Sequence, residues 1–129
     1  MTPRDVDLGA LVLFTKDLVR SAAFYRAIGL LLEEERHDEG PVHYACAPGG
    51  VHFALFEYPG DRAPGYRIAG GTMPGFRVAS VREVLASLGK LGAPVLREPE
   101  EMPWGLRAVV EDPDGRAVEI FESEEPLLA

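Results

Sequence analysis

The chain has a single cysteine, Cys46, among 129 residues, so no disulfide can form within it. Basic residues are scarce beside acidic ones, 13 against 21, for a formal net charge of -8. That balance repels phosphate backbones and leaves no basic stripe to track DNA or RNA, which argues against nucleic acid as a partner. No apolar run is long enough to span a bilayer, and the opening MTPRDVDLGALVLF carries acids where a secretion signal carries bases. The expectation is a cytoplasmic protein without membrane contact. There is neither a phosphate-cradling GxxxxGK run nor a GxSxG elbow, which removes the P-loop and serine-hydrolase readings. What remains is a 47% hydrophobic chain of one-domain size, able to bury about two-thirds of its unfolded surface and to fold alone. Its acidity suits a cationic or neutral ligand, and equally serves solubility.

The chain contains itself twice. PGGVHFALFE (48–57) and PDGRAVEIFE (113–122) share Pro, Gly and a closing Phe-Glu at an offset of 65. Upstream, ALVLFTKDLVRSAAFYRAIGL (10–30) runs parallel to MPGFRVASVREVLASLGKLGA (73–93) at an offset of 63. Both halves read β-α-β-β-β. In the first, Asp17 is the helix cap, with Leu18, Ala22, Tyr25 and Ile28 on the buried face. In the second, Ser80 and Glu83 have capping-box spacing, Val81, Val84, Leu85 and Leu88 form the apolar stripe, and Gly92 ends the helix. Turns are predicted at Ala47–Gly50 and Asp112–Gly115, where Pro presets φ and Gly permits a positive one. The single domain thus divides into module one (7–57), a Pro- and Gly-rich linker (58–72) and module two (73–123).

The paired modules, the DPDGRAVEIFE ending and the EMPWGLRAVVEDPDG run before it resemble the vicinal oxygen chelate superfamily, which includes glyoxalase I, extradiol dioxygenases and bleomycin-resistance proteins. The N-terminal KDLVRSAAFYRAIGL is similar as well. The resemblance implies an α+β fold in which two β-α-β-β-β modules curl mixed sheets around a cup, in a homodimer that can exchange modules between chains. Strand alternation then sorts side chains by face. Tyr44, Cys46, Phe53, Leu55, Phe76, Val78, Val118 and Ile120 belong under the helices. Ala10, Val12, Phe14, His43, Ala45, His52, Ala54, Phe56, Met73, Arg77, Ala117, Glu119 and Phe121 face the cup.

Metal-dependent members of that superfamily take one ligand from the first and one from the last strand of each module. Matched by position, the residues here are Ala10, Ala54, Met73 and Glu119, of which three cannot bind a hard divalent ion. Glu119 is then a carboxylate at the cup rim, hydrogen-bonded or wetted, or a ligand contact. His43 and His52, both expected on the cup face, leave open an unorthodox divalent-metal site with Glu119, a general-base role, or hydrogen bonds to ligand or water. His37, in the polar EEERHDEG stretch, is expected in solvent. Trp104 offers a face for stacking or an anchor for its loop. Arg77 and Arg107 are candidates to orient a ligand or to pair with surface acids. Cys46 reads as a buried, inert thiol, and ESEEPLLA (122–129) as a solvated tail.

The reading that follows is a binding protein without metal or other cofactor. Val12, Phe14, Phe56, Met73, Trp104 and Phe121 would wall the cup around a flat, largely apolar small molecule, such as the antibiotics the PWG resemblance implies. His43, His52, Arg77, Arg107 and Glu119 would set its orientation. The alternative is an enzyme, a glyoxalase-like lyase or isomerase or an extradiol-type dioxygenase, with its metal held by His43, His52 and Glu119.

Overall fold

The internal repeat folds into two copies of one strand order. The computed structural model describes residues 8–60 and 72–122. Its first half contains β1 (Ala10–Thr15), α1 (Leu18–Ile28), β2 (Glu33–Glu35), β3 (His43–Cys46) and β4 (His52–Glu57). The second contains β5 (Gly75–Arg77), α2 (Val81–Lys90), β6 (Val95–Met102), β7 (Gly105–Glu111) and β8 (Ala117–Phe121). The sheets run β1-β4-β3-β2 and β5-β8-β7-β6, with the first and last strand of each module parallel and the other pairs antiparallel. Most of the expected linker, 61–71, lies outside the described residues.

Local chemistry sets the helix ends. Asp17 Oδ1 accepts from Arg20 N and Ser80 Oγ from Glu83 N, each filling one of the donors a helix start leaves open. Gly29, at φ 123°, stops α1. Glu122, read above as the start of a solvated tail, instead bends back. Its Oε2 accepts from Val81 N at 2.8 Å, a carboxylate at a helix N-terminus where charge and open donors both favour it. Residues 123–129 of that tail lie outside the described residues.

Alternation delivers one shared core. Leu13, Phe53 and Leu55 from the first sheet join Ala108, Val110, Val118 and Ile120 from the second, with Phe24 and Tyr25 of α1 and Val81 and Leu88 of α2. Tyr44, Cys46, Phe76 and Val78 pack on its margin, the side expected of them. Rings close the seam between the halves: Phe76 lies 5.6 Å from Phe53 and 6.0 Å from Tyr25, both edge-on.

The DPDG turn clasps the two halves together. Asp112 is buried, and its four acceptor positions are filled by Tyr25 Oη at 2.7 Å, the Asp114 and Arg116 amides at 2.9 Å each, and the Arg116 guanidinium. Arg116 also donates to Phe14 O at 2.9 Å, and Asp114 accepts from Lys16 N at 2.9 Å and from Ser21 Oγ at 3.3 Å. Gly115 makes the turn possible with φ 86°. The motif therefore holds module two against β1 and α1 of module one.

Candidate functional site

Because the helix-side faces of the two sheets meet inside the chain, the opposite faces look outward. These are the faces on which strand alternation places the expected cup residues. On the first sheet, Val12 pairs with Ala54 and Phe14 with Phe56 across the parallel β1/β4 ladder. His43, buried on β3, stacks flat on Phe56, ring centroids 4.1 Å apart and planes 13° off parallel. His52 opens β4 at the level of Ala10 and is exposed. On the second sheet, Gly75 pairs with Glu119 and Arg77 with Phe121. Trp104, in the β6/β7 turn, stands edge-on to Phe121 at 5.6 Å while 37% exposed. Trp104 is thus anchored by Phe121 and leaves part of its indole exposed. Met73 precedes β5 and is half exposed.

The register sets two further residues beside the four positions matched above. Ala54 faces Val12, not Ala10, and Glu119 faces Gly75, not Met73. The shift is two residues in each case, which preserves the face. The internal offset of 63 also maps Val12 onto Gly75. Neither residue brings a metal donor. Gly75 has a steric reason: a Cβ there would stand 3.3 Å from Glu119 Oε1 and 3.7 Å from the Phe121 ring, so the bare backbone gives that carboxylate room to lie across the strand pair.

Glu119 is already engaged. Arg107 Nε lies 3.1 Å from Glu119 Oε2, both side chains about one-fifth exposed. The Arg107 Nε–H is nevertheless buried and not aligned on that oxygen or on any other acceptor. The contact is thus an ion pair by proximity that leaves a donor of Arg107 unsatisfied. Arg77, by contrast, is exposed and pairs with no acid among the described residues.

The structure does not bring His43, His52 and Glu119 together. His43 stands level with Phe56 and His52 four residues further along β4, roughly 13 Å at the ~3.3 Å rise of a strand. Metal bonds to nitrogen and oxygen are about 2 Å long, so one ion cannot join them. Glu119 belongs to the other sheet. His43 instead keeps Nδ1 on Pro41 O at 3.1 Å and turns Nε2 toward Glu35 Oε1 at 3.5 Å. Glu35 and His37 carry no motif that marks them in the sequence. The cross-strand pair Glu35–His43 becomes visible only once the β2/β3 register is known. Cys46 sits half-buried against the core, and desolvation pushes its thiol up, which keeps it protonated and unreactive.

A further groove lies elsewhere. It has a volume of about 780 Å³ and follows the seam between modules, walled by Leu11, Ile28, Phe53, Phe76, Val78 and Val84. Among the described residues no metal-ligating cluster borders it. Arg77, Ser80 and Glu83 also line it.

Among the described residues, no helix is long and apolar enough to cross a membrane. The family profile described as Glyoxalase/Bleomycin resistance protein/Dioxygenase superfamily matches residues 7–120. No curated protein matches the chain in sequence. Among solved structures, the chain is similar to a glyoxalase/bleomycin resistance protein/dioxygenase family enzyme from Burkholderia phytofirmans PsJN, with 20% identity, a TM-score of 0.73 and coverage of 92% of this chain and 99% of that one. It is similar to TnmS3, an antibiotic binding protein from Streptomyces sp. CB03234, with 21% identity, a TM-score of 0.68 and coverage of 95% and 100%. TioX from Micromonospora sp. ML1 matches at 19% identity and a TM-score of 0.66, covering 92% and 99%. At these identities the likeness is one of fold.

Proposed function

The chain belongs to the glyoxalase/bleomycin resistance protein/dioxygenase superfamily, and from that premise we propose that it binds and sequesters a flat, largely apolar small molecule, such as an antibiotic, without a metal at the family's usual centre. The observation that carries this reading is the donor set at Ala10, Ala54, Met73 and Glu119, to which the register partners Val12 and Gly75 add no hard donor. Its one carboxylate is held by Arg107. That set does not fit a divalent ion with open positions for substrate oxygens.

The same faces suit binding. Phe14, Phe56 and His43 on one sheet and Phe121 and Trp104 on the other supply flat rings, and stacking plus burial at about 25 cal/mol per Å² supplies affinity. Arg107, with its unsatisfied Nε–H, orients the ligand's polar edge. Because the two half-cups look outward from one chain, a homodimer that sets the first sheet of one protomer against the second sheet of its partner completes two cups. The described fold-mate TnmS3, an antibiotic binding protein, supports the ligand class.

The test is a screen of planar natural products by quenching of Trp104, the chain's single tryptophan, followed by mass spectrometry of the recovered compound. Saturable quenching with the compound returned intact is the expected result. Recovery of an isomerised, cleaved or oxygenated product contradicts sequestration.

A further inference from the structure

We infer that Glu35, His37 and His43, at the β2/β3 edge of the first half-cup, form a binding site for a zinc-class divalent cation, separate from the family's paired-strand positions. One ligand atom from each lies within 4.8 Å of the others. Glu35 Oε1 is the hub, 3.2 Å from His37 Nε2 and 3.5 Å from His43 Nε2. Donors bonded at 2.0–2.1 Å to a tetrahedral ion stand roughly 3.3–3.4 Å apart. Two edges of the tetrahedron are therefore already set. The third closes by movement of His37, whose side chain is 76% exposed.

The tautomer of His43 gives the argument its force. Pro41 O, 3.1 Å from Nδ1, can only accept, so Nδ1 carries the hydrogen. In neutral imidazole the Nε2 lone pair then points at a carboxylate oxygen, and two acceptors face one another. A positive charge between them relieves that contact, either a second proton on the imidazole or a cation bound by all three groups, and the titration below separates the two. A carbonyl that fixes the ring through its other nitrogen is also the usual support for a metal-ligating histidine. His43 is locked a second time by its stack on Phe56.

The intervening loop is shaped to return His37 to this place. Glu35 and His43 are cross-strand partners. Asp38 takes φ 53°, and Gly40 N donates to His37 O at 2.8 Å, closing a tight turn. A side chain on Gly40 would stand 3.0 Å from that same His37 carbonyl. Around the site, Glu33, Glu34, Asp38 and Glu39 outnumber Arg36, a field that draws cations. Two imidazoles and one carboxylate select zinc or its neighbours over magnesium or calcium, and leave a fourth position open to water or a ligand atom. The site does not rest on what the cup binds.

The experiment titrates tag-free protein, freed of metal with EDTA and exchanged into chelator-free buffer, with Zn²⁺ by calorimetry and with Co²⁺ by its visible absorption. One equivalent per chain is expected. Glu35→Gln and His37→Ala, both at partly exposed positions and checked for fold by circular dichroism, should each weaken binding at least ten-fold, and Glu119→Gln should leave it unchanged. Absence of saturable binding overturns the inference, as does binding that survives both Glu35→Gln and His37→Ala.

Discussion

Arg107 Nε stands 3.1 Å from Glu119 Oε2, so the carboxylate that a metal would need is neutralised by the chain's own cation. The pair is partly solvated and its N–H is misaligned, which makes its coupling modest. A double-mutant cycle with Arg107→Leu and Glu119→Leu, read by urea unfolding, should give roughly 1 kcal/mol of coupling that shrinks with added salt. Zero coupling at low salt would show that the two charges ignore each other.

The Asp112 clasp should dominate stability. Tyr25→Phe removes one donor from a buried carboxylate and should cost about 1–3 kcal/mol. Arg116→Ala strands the charge of Asp112, nearly free of solvent at 2% exposure, and should cost about 3–5 kcal/mol. Equal midpoints for wild type and Arg116→Ala in denaturant would mean that the turn is not what holds the modules together.

Alkali should loosen the same contact. Burial, and next the charge of Asp112, raise the Tyr25 phenol far above its ordinary range. In the unfolded chain that phenol ionises near pH 10; in the folded chain it stays protonated. The stabilisation is full below about pH 10 and is lost as pH rises beyond it, because only the unfolded state gives up the proton. Tyr25→Phe should flatten the decline measured between about pH 9 and 11, and an unchanged slope would assign the alkaline response to other groups.

Trp104, anchored edge-on by Phe121, should matter more to ligand than to fold. Trp104→Ala is expected to weaken a cognate ligand by at least ten-fold, about 1.4 kcal/mol, with a small change in melting temperature because the indole is 37% exposed. Unchanged affinity would remove Trp104 from the site.

Much of this architecture is legible in the sequence because it rests on short-range rules. Asp17 and Ser80 announce their helices by capping chemistry, and the two-residue period separates Phe53 and Leu55 from Ala54 and Phe56 before any fold is known. The repeat itself foretells matching strand orders. Legibility fails where a residue's role depends on a partner distant in sequence. Tyr25 reads as an ordinary apolar-face residue, yet its hydroxyl meets an aspartate 87 positions away. That Val12 and Gly75, not Ala10 and Met73, stand opposite Ala54 and Glu119 is not legible either, because alternation fixes a face but not the register along it. His37 looked like a solvent residue in an acidic loop, and it is exposed. The β2/β3 register that pairs Glu35 with His43 and the positive φ at Asp38 bring it near His43, and neither leaves a mark in composition.

The most direct test of the account is calorimetry of a ligand found by the Trp104 screen, carried out in excess EDTA on the His37→Ala protein, whose β2/β3 cation site is disabled. Binding of one ligand per chain, with the same affinity in EDTA as in Zn²⁺ or Mn²⁺ buffer, is the predicted result, since Val12, Ala54 and Gly75 offer no donors beside Glu119. Binding that vanishes in EDTA and returns with metal would contradict it and make the cup a metal-dependent site after all.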